Sequence, residues 1–494
     1  MTDSAHVDRS TAWIGAASVV SGILDALSTI LVLWLGVTTG ELGAATIAVA
    51  LFPIIDRLGG IGLISAAVKQ PEIDQASLST ICWLGVIAAT AMTGALAIGR
   101  VAVGPYLPDP IVATLLVAYS ARLIPRQFSA VSEALLKRDL RYRELAMVKI
   151  VASIAEIVVK LGAAYLANYW GRELAIWCFV LAPIATALTT TVGTLLYLPW
   201  RPHFQFRRDV ARRAIHFTAA VSGGEMLYYA YTSADYLVIG WRFGWEAVGV
   251  YRLAYELVLD VVRMLSLVTA EVAFPTFARL ASQPGRVAEH LVRFTRQNLI
   301  VLAPFLVYVG IEADDLLALL FGHLPAEAAT VARILCIVGA LRTLGFILPS
   351  LLAGVGRPSR VLVYNAIATV VLPLAFLIAT HIAPGAGFVS VAWAWAVGYP
   401  IAFGALLVMA LPSAGVSMRR YFGALGGITG CAIGALVAAG IARLLLPDVA
   451  LVRVLVEAPI VLFAFAGALW RVEGVSIAAI VRSLRGGARP ATNA

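Results

Sequence analysis

The chain has 494 residues, 61% of them hydrophobic and 13% charged, with 37 Lys and Arg against 28 Asp and Glu and a mean hydropathy of +0.90. That composition excludes an ordinary soluble enzyme, whose surface needs roughly a quarter of its residues charged. The net charge of +9 is no nucleic-acid footprint, because the basic residues stand beside apolar segments; membrane lipids are the expected general partner, and nucleic acid is not.

Apolar runs of the length that spans a bilayer as a helix, roughly 20 residues, follow one another almost end to end. In the first half they cover residues 13–35, 42–65, 79–100, 111–130, 145–167 and 173–196. The second half supplies 215–241, 248–274, 294–311, 328–352, 360–380 and 388–411, and two more runs follow at 421–445 and 452–470. The reading is an all-α polytopic membrane protein of about fourteen helices. The first run is too long for a cleavable signal peptide and reads as a retained helix.

Of the 37 Lys and Arg, 24 fall in the tails and in every second connection. Residues 137–149 carry five, 201–213 five, 279–296 four, and the tail after Trp470 four. The alternate connections 36–40, 101–110 and 322–327 carry none. Cytoplasmic loops are enriched in Lys and Arg, so both termini are expected on the cytoplasmic side of the membrane. An odd helix count would scramble the separation. Residues 134–143 alternate Leu135, Leu136 and Leu140 with Lys137, Arg138, Arg141 and Arg143. They read equally as a short interfacial helix or as a simple stop-transfer cluster.

Two halves in the same orientation are suggested by matches between them. Residues 31–57 laid over 237–263 pair Gly43 with Gly249 and Arg57 with Arg263; later in each half, Arg126 pairs with Arg342. The expected division is an N-terminal six-helix lobe over 1–213, a C-terminal six-helix lobe over 214–415, and two further helices with a basic tail over 416–494.

A charge inside a bilayer is expensive and usually functional. The intramembrane cations are Arg57, Arg122, Arg126, Lys160, Arg252, Arg263, Arg333 and Arg342; the acids include Asp25, Asp56, Glu156, Asp235, Glu256 and Asp260. Glu156 with Lys160, Arg252 with Glu256, and Asp260 with Arg263 have the spacing of neighbours on a helix face. Arg252, Glu256, Asp260 and Arg263 make one stripe that must face protein or water. Arg57, Arg122, Arg126 and Arg342 lack a local acid. One reading is cross-helix pairing with Asp25, Asp235 or Glu225; the other is a cationic cavity of Arg57, Arg122, Arg126, Arg252, Arg263 and Arg342 for an anionic headgroup, since guanidinium forks suit phosphate. Asp25, Asp235, Glu256 and Asp260 are candidates for ion coupling or charge pairing.

Pro53, Pro125, Pro183, Pro349, Pro373 and Pro400 are expected to kink helices, and Gly59, Gly60 and Gly62 to let helices approach closely. Tyr228, Tyr229, Tyr231 and Tyr236 read chiefly as packing or interfacial aromatics. Cys82, Cys178, Cys336 and Cys431 lie singly in helices and read as core thiols, and the six histidines are scattered. No metal site, cofactor, catalytic residue or phosphate-binding loop is expected.

The stretch TSADYLVIGWRFGWEAVGVYRLAYEL followed by FPTFARLA resembles the start of the second half of bacterial polysaccharide-export flippases. That family has an Asp-Tyr-Leu-(Ile/Val)-Ile-Gly run, here residues 235–240, then Gly-(Tyr/Val)-Tyr-x-Leu-Ala-Tyr, here 249–255. LLAGVGRPSRVLVYN at 351–365 resembles its Gly-Arg-Pro connection, and ALLKRDLRYRELA its basic connection after the fourth helix. The resemblance covers nearly the whole chain. It implies the polysaccharide transporter branch of the multidrug/oligosaccharidyl-lipid/polysaccharide exporter superfamily, with a V-shaped pair of six-helix bundles. The implied activity is flipping a polyprenyl-pyrophosphate-linked oligosaccharide across the cytoplasmic membrane, and the implied partners are polysaccharide polymerase and export machinery. The arginine positions come from this sequence and not from the family. Alternatives are a multidrug or cation antiporter, a peptidoglycan-precursor lipid flippase, and a non-transporting scaffold.

Overall fold

The computed structural model describes residues 2–59, 74–103 and 111–474, without side-chain detail for 2–12, 14, 16, 57–59, 103, 217 and 219–221. Every regular element among the described residues is helical, and ten helices are long and apolar enough to cross a membrane. The chain is a multi-pass integral membrane protein.

The first half runs α1 Thr2–Trp34, α2 Thr39–Gly59, α3 Gln75–Val103, α4 Ile111–Ser120, α5 Leu123–Arg138, α6 Tyr142–Trp170 and, after a 3-10 turn, α7 Cys178–Tyr197. The Arg57 side chain and the stretch from Gly60 lie outside the described residues, and with them the close approach expected at Gly59, Gly60 and Gly62. The break between α4 and α5 at Ala121–Arg122 has a covalent cause. Pro125 has no N–H to give the carbonyl four residues back, which belongs to Ala121. The same device recurs between α11 Ala326–Gly345 and α12 Ile347–Gly354, where Pro349 stands four residues past Gly345.

α8 Arg208–Tyr255 consists of two limbs that break at Gly244, within the connection expected at 242–247. The connection is tighter than expected, and the Gly244 φ of +85° is accessible because glycine lacks a Cβ. A π-turn, Glu256–Asp260, joins it to α9 Val261–Leu280. Then come α10 Pro284–Phe321, α13 Pro358–Ile382, α14 Val389–Ala414, α15 Met418–Leu445 and α16 Ala450–Glu473, with α11 and α12 between α10 and α13.

The chain forms two compact units: Met1–Arg252 with Asn365–Val391, and Leu253–Tyr364 with Ala392–Ala494. In the first, α6 packs between α1 and α7, while α3 lies on α5 and α2 on α4. Lipid is as apolar as leucine, so packing and polar bonds, not hydrophobic transfer, hold such helices together. Accordingly α6 buries Ala146, Ala152, Ala164 and Ala167. Asn365 donates to the Gly224 carbonyl at 2.8 Å and Thr369 to that of Leu227 at 2.9 Å, which ties α13 to α8 within this unit. In the second unit α10 packs on α11, α15 and α16, and α9 on α12. Arg296 clasps Glu473 and the Ala424 carbonyl, joining α10 to both α15 and α16. All four cysteines are free and buried.

Residues 134–138 form the last turn of α5, with Leu136 fully buried, so no separate helix forms there. The basic connection 198–207 lies along the start of α3. Gln75 accepts from the Trp200 indole at 2.8 Å, Trp83 donates to the His203 carbonyl at 2.9 Å, and the Arg207 guanidinium links Asp74 and Asp209 at 3.2 and 3.0 Å. A hydrogen bond from Ser77 holds the Asp74 carboxyl below the usual carboxylate range, and one from Arg207 does so for Asp209. A depressed carboxyl contributes stability above its unfolded pKa and loses it as pH falls through the folded one. The connection is therefore expected to become protease-sensitive below about pH 4, ahead of global unfolding. Equal cleavage rates here at pH 4 and pH 7, after correction for protease activity, count against the clasp.

Candidate functional site

In the first unit, charges from α1, α2, α5, α6 and the α4–α5 break form one cluster. Lys160 on α6 is buried; its ammonium donates to Ser28 Oγ at 2.9 Å and Thr29 Oγ1 at 3.1 Å, and pairs with Asp25 Oδ1 at 3.3 Å. All three partners lie on α1. This corrects the expected pairing within α6 of Glu156 with Lys160, because the Lys160 stem points across to α1. Arg126 Nη1 pairs at 2.9 Å with Asp56, an acid on α2 that the sequence reading had not matched to it. The Asp56 carboxyl is buried, whereas the Arg126 side chain is 44% exposed.

Arg122 sits in the α4–α5 break. Its guanidinium lies 4.2 Å from the Phe52 ring centroid and 4.3 Å from that of Tyr119, and its buried Nε has no hydrogen-bond partner. The two rings themselves meet edge to face at 4.6 Å. Cation–π contacts of this kind hold Arg122 in place without neutralising it. The like-charged Arg122 and Arg126 are thus tolerated one turn apart by two different devices, an aromatic sandwich and an ion pair.

Asp235 on α8 is fully buried. Its Oδ1 accepts the Tyr236 N–H at 2.9 Å and its Oδ2 the Tyr251 hydroxyl at 3.0 Å. Both ends of the 235–255 signature are therefore joined to each other by one hydrogen bond. Tyr231 and Tyr236 are buried, and Tyr228 packs edge to face on Tyr229 and Tyr231, as packing aromatics do. Arg252 is half-buried near the end of α8.

In the second unit, the Arg263 and Asp260 pair forms as expected, at 3.1 Å, with the Arg263 side chain 48% exposed. Glu256 and Asp260 bound a π-turn, so the charged stripe runs through a local widening of the helix, a distortion common at functional sites. Arg342 is buried on α11, donates to the Tyr255 hydroxyl at 3.0 Å and stacks near Trp395 at 5.3 Å. Arg333 pairs with Asp314 of α10. The Gly-Arg-Pro connection is structural: Gly356 has φ +76°, and Arg357 and Arg360 both donate at 2.9 Å to Ser413 near the end of α14. A further charged cluster at Glu312, Glu457, Arg443 and Arg453 was missed. Glu457, a lone acid inside the last apolar run, was the signal that could have revealed it.

A many-helix membrane fold with buried charges and broken helices is that of a membrane transporter. The match of residues 37–329, more than half the chain, shows that the chain belongs to the family described as "Polysaccharide biosynthesis protein". The family resemblance read from the signature is borne out. The chain is 22% identical over 375 residues to the lipopolysaccharide biosynthesis protein WzxC of Escherichia coli (strain K12), covering 74% of this chain and 75% of that one. It is 23% identical over 350 residues to the teichuronic acid biosynthesis protein TuaB of Bacillus subtilis (strain 168), covering 68% of each. Its fold is similar to the lipid II flippase MurJ in an inward closed conformation, with TM-score 0.72 at 13% identity over 94% of this chain and 98% of that one.

Proposed function

We infer that the protein is a flippase that moves a polyprenyl-pyrophosphate-linked oligosaccharide, a repeat unit of a surface polysaccharide, across the cytoplasmic membrane by alternating access. Family membership carries this reading, and the relatives' names place them in lipopolysaccharide and teichuronic acid biosynthesis. What blocks spontaneous flipping is burial of the charged headgroup in hydrocarbon, so the protein must supply a polar path. Arg126 pairs with Asp56 and Arg263 with Asp260, and both arginine side chains are almost half exposed. An arginine so exposed inside a spanning helix is tolerated at a water-filled cavity and not at lipid. Each guanidinium carries five N–H donors in a planar fork, the geometry that suits a diphosphate.

Topology in this reading counts each helix pair broken before a proline as one crossing, the first limb of α8 as one, and its second limb together with α9 as another. That gives fourteen, with both termini cytoplasmic, functional lobes over 1–213 and 214–415, and residues 416–494 appended. The membrane is the bacterial inner membrane, and polymerase and export machinery act downstream. Arg57, Arg122, Arg252 and Arg342 complete the proposed headgroup path, and Asp25, Asp235, Glu256 and Asp260 tune it.

Arg126→Ala and Arg263→Ala are each expected to slow export about tenfold or more, the loss of one charge-assisted contact of about 1.5–3 kcal/mol. Lipid-linked saccharide then accumulates on the cytoplasmic leaflet of cells carrying the variant at wild-type abundance. Unchanged export in both variants rules out this path for the headgroup.

A further inference from the structure

The second unit contains a polar junction that the headgroup path does not use. α10 leaves helical geometry at Glu312, with φ −92° and ψ 15°, three residues before Asp315. Glu312 is fully buried. Arg443 of α15 pairs through Nη1 with Glu312 Oε1 and through Nη2 with Asp315 Oδ2, the latter at 3.3 Å. Arg453 of α16 stands 3.9 Å from Asp315 and also pairs with the exposed Asp448. One turn back on α10, Tyr308 donates to the Val454 carbonyl at 3.0 Å. Asp314 is turned to α11 and Arg333.

Glu457 of α16 completes the junction and is also fully buried. Neither of its carboxyl oxygens meets a donor, nor does Glu312 Oε2, and the two carboxyls face each other. Three carboxyls, Glu312, Asp315 and Glu457, therefore surround two guanidiniums, one of which is shared with Asp448. With every acid ionised the junction holds an excess negative charge, and two carboxylates confront one another away from water. Such a pair cannot keep both charges. One proton between Glu457 and Glu312 Oε2 removes the excess and supplies the missing donor in a single step.

We propose that Glu312 and Glu457 form a proton-binding site that locks α10 to α15 and α16. With the proton in place the carboxyls hydrogen-bond; without it they repel across the bend in α10 and loosen the junction. This goes beyond the transport reading and depends on no part of it. Because the folded pair holds a proton that an unfolded glutamate has released at neutral pH, unfolding releases it. Stability then falls as pH rises through the titration of the pair.

The test uses purified full-length protein in detergent, with unfolding followed between about pH 5 and pH 9, well above the ordinary glutamate range. Glu457→Gln keeps a donor toward Glu312 Oε2 but has no proton to lose. The unfolding constants of wild type and Glu457→Gln are expected to diverge about tenfold per pH unit between the ordinary glutamate range and the titration of the folded pair, and to run parallel above it, the signature of one linked proton. Glu457→Asp retains a titrating carboxyl and is expected to keep the wild-type slope. Infrared spectra at neutral pH are expected to contain a protonated-carboxyl band that Glu457→Gln removes. Parallel pH profiles for wild type and Glu457→Gln across the whole range overturn the proposal. So does stabilisation of wild type, but not of Glu457→Gln, by sodium chloride over choline chloride, which would make the occupant a small cation. Should Glu457→Gln fail to fold, Glu312→Gln provides the same comparison. A wild-type spectrum without a protonated carboxyl overturns the proposal by itself.

Discussion

Gly43→Val is expected to lower the unfolding midpoint by several degrees and to abolish export, and Gly249→Val to do the same. A Cβ on Gly43 overlaps the Trp245 carbonyl oxygen and stands 2.8 Å from the Gly249 nitrogen. A Cβ on Gly249 overlaps the Thr39 carbonyl oxygen and stands 3.1 Å from the Thr39 Cα. The obstacles are backbone atoms, so no side chain can turn aside, and α2 must part from the limb of α8 beyond Gly244. Overpacking of this kind costs typically 1–3 kcal/mol and more where backbone must move. Gly40→Ala is the control, since its Cβ meets only Thr38 Oγ1, at 3.9 Å. Thermal unfolding in detergent separates the cases: a Gly43→Val midpoint equal to that of Gly40→Ala refutes the close crossing. These are the two glycines that the sequence comparison laid over each other from opposite halves, and they meet.

Lys160→Met is the second variant with a large expected effect. Met has a similar length and no charge, so it preserves packing while removing the cation from Asp25, Ser28 and Thr29. Removing one member of a buried ion pair costs about 3–5 kcal/mol because the partner is left charged and unpaired. Here the lower end applies, since the Asp25 side chain is 55% exposed and partly screened. The accompanying Asp25→Asn change is expected to recover part of the loss, because it removes the stranded charge and leaves an amide to bond the α1 hydroxyls. A double-mutant cycle on the unfolding midpoint reads the coupling. Strict additivity of the two changes means that Lys160 and Asp25 do not act as a pair.

Much of this architecture is legible in the residues because the responsible forces are local. Pro125 and Pro349 break helices at the carbonyls they leave unbonded, four residues upstream of each proline, and a reader of the chain can place both breaks. Gly244 supplies the left-handed backbone of the α8 kink, although sequence patterning suggested a longer connection there. Asp260 with Arg263 was also legible, since three residues on a helix is a fixed spacing. Glu156 with Lys160 looked equally good by that rule and does not form, because α1 offers Lys160 two hydroxyls and a carboxylate together. Glu312 was invisible as a site: it stands just past an apolar run, beside two aspartates, where charge is ordinary.

The amino-acid sequence determined by itself that this chain enters a membrane, how its apolar runs are spaced, and to which family it belongs. Each of these is a sum or a pattern along the chain: transfer of apolar side chains, a bias of Lys and Arg, and a signature from Asp235 to Tyr255. Only the tertiary structure decided which charges meet. Arg126 reaches Asp56, Lys160 reaches Asp25, and Glu457 faces Glu312 because helix rotation and tilt bring them together, and those are set by packing against neighbours and not by hydropathy. A charge in the bilayer announces that a partner or water must be near; the partner's identity is a property of the fold.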